Sequence, residues 1–214
     1  SILGNNTDFK ITIKNDPTNK TIEISDNGIG MTYDEVIENI GTIAKSGTAG
    51  FMEALKKAKK DDSLIPELIG QFGVGFYSAF MVADKIELLT KNYKPDALAV
   101  KWTSSGDGNF DIENVDKKSR GTKITLYLKE TNEEQKNYTD QWVLQNIIKQ
   151  HSDFVSYPIT MDMEKDEPIP DNELTKDKEG KPLGETSRKV VKNEILNSMK
   201  AIWTKTPKDI DEKE

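Results

Sequence analysis

The sequence has no cysteine and one histidine, His151, among its 214 residues. The absence of cysteine excludes disulfide scaffolds, thiol catalysis and cysteine-based zinc sites. A single histidine excludes a metal site built from several histidines, and a Ser-His-Asp triad would have to use His151. Several common classes of enzyme and metalloprotein are therefore excluded before any motif is considered.

Long apolar runs and excess positive charge are also missing. No window approaches the roughly 18 uninterrupted apolar residues of a membrane-spanning helix. The first ten residues, SILGNNTDFK, lack the basic flank and apolar run of a signal peptide. The 30 Lys and Arg residues against 37 Asp and Glu residues give a net charge of −7, which repels a phosphate backbone. We therefore expect a cytoplasmic protein that binds neither nucleic acid nor membrane.

Alternating polar and apolar residues predict several strands and few helices. Residues 9–14 (FKITIK) and 21–25 (TIEIS) flank the turn formers NDPTNK, a pattern typical of a β-hairpin. Thr32 and Glu35 form a capping-box pattern that predicts the start of a helix. The start of an apolar helix is predicted at residues 76–83. An antiparallel meander of four strands is predicted after it, at residues 85–91, 97–102, 110–114 and 122–128. A further helix at 139–150 and one more strand at 157–163 complete the prediction.

A strongly charged segment follows the last predicted strand. Twelve of the 21 residues from 162 to 182 are charged, three are prolines, and the apolar residues show no periodicity. Such a composition is typical of a flexible linker or long loop. The stretch 189–203 after it fits either a strand or a helix.

Three glycine-bearing segments are the candidates for chemistry: DNGIGM (26–31), GTIAKSGT (41–48) and GQFGVG (70–75). In the third, glycines ahead of an apolar segment would let backbone N–H groups approach an anion. The spacing is neither that of a Walker A loop nor that of a Rossmann fingerprint. A phosphate site and a glycine-rich packing turn both fit this segment taken alone.

The first glycine segment places Asp26 at the exit of an apolar strand. A partly buried carboxylate needs hydrogen-bond donors, and the exocyclic amine of a purine would be one. Gly30 would allow close approach of a ring, and Met31 would supply an apolar contact. A surface Asp-Asn-Gly turn is the alternative interpretation. In the middle segment, Lys45 is either a phosphate ligand or a solvated loop lysine.

Taken together, in this order and spacing, DNGIGM, GTIAKSGT and GQFGVGFYS closely resemble the ATP-binding domain of the 90-kDa heat-shock protein chaperones. That family belongs to the gyrase, histidine kinase and MutL superfamily of ATPases. The resemblance continues through SRGTKITLYLKE and HSDFVSYPI to AIWTKTP, which resembles the entry into the family's middle domain.

The resemblance implies an α/β (α+β) two-layer sandwich of the Bergerat type. Its largely antiparallel, eight-stranded sheet would carry helices on one face. The nucleotide-binding domain is expected at residues 1–164, with a lid at about 41–69 that closes over ATP. A charged linker or loop would follow at 165–186, and the end of the domain and the start of the middle-domain connection at 187–214.

The same resemblance implies a role for each motif residue. Asp26 would accept the adenine amine, Gly30 and Thr122 would help to hold a water, and Met31 would pack against the base. Asn39 would lie near the ribose and phosphates. The remaining positions would contact the phosphates, Lys45 through its side chain and the others through a wrapping backbone: Gly70, Gln71, Phe72, Gly73, Val74, Gly75 and Phe76.

The family's catalytic groups are expected outside this sequence. In the family, an earlier helix carries a glutamate that activates water and an asparagine that ligates magnesium, and both should precede Ser1. A strand exchanged between protomers is expected there too, and a middle-domain arginine after Glu214. Asp8 lies in the wrong element to replace the glutamate. The resemblance therefore implies no catalytic or metal-binding residue here, ATP or ADP as ligand, and Mg²⁺ as a cofactor held from elsewhere.

The resemblance implies that the chain is a domain of an ATP-driven protein-folding chaperone. These 214 residues are expected to bind nucleotide weakly and to hydrolyse it negligibly. Client proteins, co-chaperones and a second copy in a homodimer are the implied partners. Two alternatives come from other classes. One is a sensor histidine kinase-type ATP domain, for which His151 would be the sole phosphoacceptor, and the other is a binding module without nucleotide.

Overall fold

The computed structural model describes residues 8–41, 75–130, 136–170, 173–174, 181 and 184–199. These residues form eight strands, two α-helices and one short 3-10 helix. The strands are β1 (Ile11–Asp16), β2 (Thr21–Asp26), β3 (Ala83–Lys91), β4 (Ala99–Ser104), β5 (Asp111–Val115), β6 (Gly121–Leu128), β7 (Ile159–Pro168) and β8 (Ser187–Ile195). The helices are α1 (Tyr33–Asn39), the 3-10 helix (Phe76–Met81) and α2 (Gln141–His151).

All eight strands belong to one sheet in the order β5-β4-β3-β6-β2-β1-β7-β8. Every neighbouring pair is antiparallel except β1 with β7. The expected eight-stranded, largely antiparallel sheet is confirmed. The predicted meander is wrong in one respect, because β6 pairs with β3 and β2 rather than with β5. In that position Ile124 lies between Ile24 and Leu88, so three apolar side chains share one face.

The hydrophobic core lies between one face of the sheet and the helices. Ile86 and Leu88 alternate with Glu87 along β3 and are at most 1% exposed, so they point toward the helical layer. Val36 of α1 and Leu144 of α2 belong to the same buried cluster. The predicted placement of the helices on one face is confirmed.

Both α-helices begin at side-chain caps that the sequence encodes. Thr32 Oγ1 accepts the N–H of Glu35 at 3.3 Å, and Glu35 Oε2 accepts the N–H of Thr32 at 2.7 Å. The predicted capping box is therefore present. Asp140 caps α2 by accepting the N–H groups of Trp142 and Val143 at 2.8 and 3.0 Å.

The charged segment differs from its prediction over its first part. Residues 162–168 continue β7 rather than starting a loop, and β8 pairs with β7 from Ser187 to Ile195. Charged side chains pair diagonally across this hairpin, as in Lys165–Glu194 at 2.6 Å and Lys189–Glu164 at 2.8 Å. Cross-strand pairs of opposite charge stabilise a strand whose side chains stay solvated. The composition that predicted a linker is therefore compatible with an edge hairpin.

The apolar segment after the third glycine motif forms a single 3-10 helix of six residues rather than the expected longer helix. Only Val82 lies between its last residue and β3, so the helix cannot extend further toward the C-terminus. No helix in the part of the chain that the structure describes is long and apolar enough to cross a membrane. The predicted division into domains stays a prediction.

Candidate functional site

Asp26 is the last residue of β2, and its carboxylate is held by two backbone amides. Oδ1 accepts the N–H of Gly28 at 2.8 Å and the N–H of Thr122 at 3.3 Å. Among the described residues no hydrogen bond reaches Oδ2. The side chain is exposed, so one carboxylate oxygen is oriented by the protein while the other is available to a donor from outside.

Thr90 links the residues around Asp26 to one another. This side chain is fully buried at the end of β3. Its Oγ1 accepts the N–H of Met31 at 2.9 Å and lies 2.9 Å from Oγ1 of Thr122. One buried hydroxyl therefore connects the turn after β2, the end of β3 and the start of β6.

Two glycines allow these three segments to approach. Gly30 has a φ of +62°, and a Cβ there would lie 1.9 Å from the carbonyl oxygen of Lys91. Gly121 has a φ of +105°, and a Cβ there would lie 2.2 Å from the carbonyl oxygen of Asp26. Backbone atoms cannot yield as a flexible side chain would, so both positions require glycine.

A cavity of about 460 Å³ opens beside Asp26. Its walls are mainly apolar, and the polar residues among them are Lys10, Ser25, Asp26 and Asn27. The apolar side chains that line it include Phe9, Ile11, Ile24, Ile124 and Tyr157, and the rings of Phe9 and Tyr157 meet edge to face at 6.0 Å. An apolar cavity with a carboxylate in its lining suits an apolar group that donates a hydrogen bond.

A second group of predicted residues lies at the C-terminal end of α1. Asn39 is the last residue of α1, is half-buried, and donates from Nδ2 to the carbonyl of Glu35 at 2.9 Å. The hydroxyl of Tyr77 donates to the carbonyl of Ile40, which ties this end of α1 to the 3-10 helix. Phe76 packs edge to face on Trp102, with 5.5 Å between ring centres.

The described contacts thus join Met31 to Thr122 through Thr90, and Thr122 to Asp26 through its backbone amide. Gly30 lies in the same turn as Met31. Asn39 and Phe76 form a separate group, and Gly75 is exposed at the start of the 3-10 helix. The other predicted positions lie outside the described residues: Lys45, Gly70, Gln71, Phe72, Gly73 and Val74, together with 42–69 of the predicted lid.

Lys117 carries a positive charge that interacts with Asp26. Its ammonium donates to the carbonyls of Ser119, Arg120 and Gly121 at 2.7, 3.3 and 3.2 Å. Burial lowers the pKa of Lys117, and attraction to Asp26 acts in the opposite direction. A partly desolvated positive charge therefore lies within electrostatic reach of the site carboxylate.

Sequence reasoning missed Thr90, Lys117 and the role of Gly121. A glycine at the start of a strand, as in SRGTKIT, is a signal for close backbone approach and was available for Gly121. Thr90 is a β-branched residue in a strand, which is ordinary, and Lys117 is one of two adjacent lysines in a turn. Within the described ranges, no group of three or more His, Cys, Asp or Glu side chains is arranged to hold a metal ion.

Fold and site together define an α/β domain with the architecture expected for the superfamily of gyrase- and heat-shock-type ATPases. Residues 1–137 match the family described as "Histidine kinase-, DNA gyrase B-, and HSP90-like ATPase". Residues 137–214 match the family described as "Hsp90 protein". The chain therefore belongs to the Hsp90-like ATPase family, a family of ATP-binding chaperones, and the resemblance of its motifs is confirmed.

Curated relatives support the same family. "Chaperone protein HtpG" of Geobacter sulfurreducens is 44% identical over 216 residues, which cover 100% of this chain and 32% of the relative. The protein of the same description in Mycobacterium ulcerans is 47% identical over 204 residues, 94% of this chain and 30% of the relative. That of Mycobacterium tuberculosis is 43% identical over 209 residues, 97% of this chain and 31% of the relative. The chain thus spans about a third of the length of these relatives.

Proposed function

We propose that this chain is the nucleotide-binding domain of a molecular chaperone, in which ATP binding and hydrolysis drive lid closure and the folding or remodelling of client proteins. The observation that carries the proposal is the carboxylate of Asp26, held by the amides of Gly28 and Thr122 beside an apolar cavity. Family membership supports ATP as the ligand.

Adenine recognition follows from the orientation of that carboxylate. The exocyclic amine of adenine would donate to Asp26, and the apolar cavity would take the ring. Because the two backbone amides already hold Oδ1, the carboxylate is preorganised and loses little side-chain entropy on binding. Gly30, Met31 and Thr122 adjoin Asp26 but do not line the cavity. From the motif resemblance we propose that Met31 contacts the base and that Gly30 and Thr122 hold a bridging water.

The phosphate end of the site is proposed from the motif resemblance. Asn39 would lie near the ribose and phosphates, Lys45 would supply a positive charge, and the backbone of 70–76 would wrap the phosphates. Asn39 precedes Ile40, whose carbonyl accepts from Tyr77 in the 3-10 helix that follows Gly75. This position of Asn39 is compatible with the proposed arrangement.

A polypeptide of these 214 residues is proposed to bind nucleotide weakly and to hydrolyse it negligibly. The family's general base and magnesium-binding asparagine are expected before Ser1. Loss of a general base typically lowers a rate by about 10² to 10⁴. Mg²⁺, when bound, would neutralise phosphate charge, and we assign no ligand for it among the described residues.

The partners and location are proposed from the relatives, whose names describe chaperones. Client proteins, co-chaperones and a second copy of the full-length protein would be the partners, in the cytoplasm. The sensor-kinase alternative is not favoured, because residues 137–214, which include His151, match the Hsp90 family. A module without nucleotide is not favoured by the family match over residues 1–137.

The test of the proposal is Asp26→Asn, which replaces one carboxylate oxygen by an NH₂ group. The adenine amine would then face a hydrogen-bond donor instead of an acceptor. Loss of a charge-assisted hydrogen bond weakens binding by about 10- to 150-fold. ATP affinity would be measured by chemical-shift titration of the 214-residue chain, a method suited to weak binding.

Asp84→Asn is the matched control, since Asp84 is an exposed residue at the opposite end of β3 from Thr90. This variant should bind ATP as the unchanged chain does. Equal affinities for the unchanged chain and Asp26→Asn would remove Asp26 from the site.

A further inference from the structure

The turn before β6 is closed by one lysine side chain. The ammonium of Lys117 donates to the carbonyl oxygens of Ser119, Arg120 and Gly121, three consecutive residues. The backbone of Lys117 is itself anchored, because the ammonium of Lys91 on β3 donates to its carbonyl at 2.8 Å. The neighbouring Lys118 is exposed.

The third of these carbonyls has a direct geometric consequence for Asp26. The C=O of Gly121 and the N–H of Thr122 belong to the same peptide group, which is planar and trans, so they point in opposite directions. Lys117 holds the C=O end at 3.2 Å, and Asp26 Oδ1 accepts from the N–H end at 3.3 Å. Whatever fixes one end of this peptide plane therefore orients the other.

Gly121 makes the plane sensitive to such a restraint. Its φ of +105° belongs to a backbone region that glycine reaches freely, so the residue itself contributes little rigidity. Thr90 adds a long contact, 3.4 Å from its Oγ1 to the carbonyl oxygen of Gly121. The charged donor on Lys117 is the stronger of the two restraints, because hydrogen bonds from ionised donors exceed neutral ones.

We propose that Lys117 is a positioning residue for adenine recognition: by holding the Gly121 carbonyl it aims the Thr122 amide at Asp26 and so orients the carboxylate that receives the adenine amine. This inference rests on the proposed function. Lys117 acts through the peptide group and touches no nucleotide. Its hydrogen bonds to Ser119, Arg120 and Gly121 keep the ammonium in the turn next to Thr122.

The local part of the inference is tested by amide hydrogen exchange in the 214-residue chain, in the variants Lys117→Met and Lys118→Met. The Thr122 amide should exchange about 10-fold faster in Lys117→Met. A change of this size corresponds to the loss of one charge-assisted hydrogen bond. The Ile124 amide, two residues further along β6, should keep its rate. Lys118→Met removes the same charge and should change neither.

The functional part is tested by comparing ATP with inosine triphosphate, which has a carbonyl in place of the adenine amine. Lys117→Met should lower the preference for ATP by about 5- to 10-fold. A structural defect that only lowers the folded fraction would weaken both nucleotides equally. Lys117→Arg keeps a charged donor and should retain the preference within about threefold.

The outcomes separate the two proposals. The positioning role of Lys117 is overturned if the Thr122 exchange rate is the same in Lys117→Met, or if Thr122 and Ile124 accelerate equally. It is also overturned if Lys117→Met keeps the full preference for ATP. In each of these cases, ATP binding by the original chain would still support the proposed function. Failure of the unchanged chain to bind ATP would overturn the proposed function and, with it, any role of Lys117 in adenine recognition.

Discussion

Gly30 and Gly121 determine how closely the turn after β2 approaches its neighbouring strands. Each has a positive φ, and each lies where a Cβ would meet a backbone oxygen of another segment. The hydroxyl of Thr90 then joins the segments that the glycines bring together. At the scale of single residues, the site therefore depends on two glycines, which lack a side chain, and on one buried hydroxyl.

Gly30→Ala should destabilise the chain by more than its φ strain alone. A left-handed conformation costs an L residue about 1–2 kcal/mol, and here the added methyl would also lie 1.9 Å from the Lys91 oxygen. Relief of that contact requires a backbone shift. Urea unfolding should therefore show a loss of more than about 3 kcal/mol, in the range of severe substitutions.

Gly108→Ala isolates the conformational part of this effect. Gly108 has a φ of +93°, and a Cβ added there would meet no atom within 4 Å. The unfolding free energy of Gly108→Ala should fall only by the conformational strain of about 1–2 kcal/mol. If the two variants lose the same stability, the close contact at Gly30 contributes nothing.

At the scale of elements, the face of the sheet opposite the helices is organised by charge. Glu87 on β3 accepts the hydroxyl of Tyr127 on β6 at 2.7 Å and lies 3.1 Å from Lys85 and 3.7 Å from Lys101 on β4. Burial by itself raises the pKa of Glu87. The hydrogen bonds from Tyr127 and Lys85 and the two positive charges outweigh it, so the pKa lies below its ordinary value.

Glu87→Gln should therefore change how stability depends on pH. A carboxyl with a lowered folded pKa stabilises the fold above its unfolded pKa, about 4.3, and loses that contribution as the pH falls through the folded pKa. Between about pH 6 and pH 3, the unchanged chain should lose about 1 kcal/mol more than the variant. Urea unfolding across this range measures the difference.

Glu113→Gln serves as the control on the same face. Its side chain is 63% exposed and lies 3.6 Å from Lys101, and exposed ion pairs contribute little. Its pH profile should follow that of the unchanged chain. If the pH profile of Glu87→Gln also follows that of the unchanged chain, the charge of Glu87 at the Tyr127 contact does not contribute to stability.

At the scale of the whole molecule, one face of the sheet carries the helices and the core, and the cavity beside Asp26 lies on that same face. Ile24 and Ile124 line the cavity and also pack against the core. A ligand in the cavity would therefore contact the folded sheet and not the unfolded chain. Binding and global stability should be linked through this shared surface.

ATP should raise the stability of the unchanged chain by about 1.4 kcal/mol at ten times its Kd and about 2.7 kcal/mol at one hundred times. Asp26→Asn at the same ATP concentrations should gain far less, because its Kd is expected to be higher. Urea midpoints with and without ATP give both numbers. An equal gain in both chains would place the stabilising site away from Asp26.

Much of the fold could be predicted because its signals are local. The hairpin of β1 and β2, the capping box at Thr32 and the apolar alternation of β3 depend on residues close in sequence. The segment 162–168 was predicted wrongly as a loop because its strand is stabilised across the sheet by β8, about 30 residues away at Asp162–Asn193. The insertion of β6 between β2 and β3 has the same non-local origin.

By itself, the sequence determined the family and the strands with strong alternation, since motifs and periodicity are properties of the chain. It also predicted Asp26 as the carboxylate of the site. Tertiary structure decided which atoms surround that carboxylate. Its Oδ1 accepts from Gly28 in the adjoining turn and from Thr122 on β6. Thr122 in turn contacts Thr90 on β3, and Lys117 donates to the carbonyl of the peptide group that Gly121 and Thr122 share. Such convergence depends on strand order and backbone direction, which no local pattern of residues specifies.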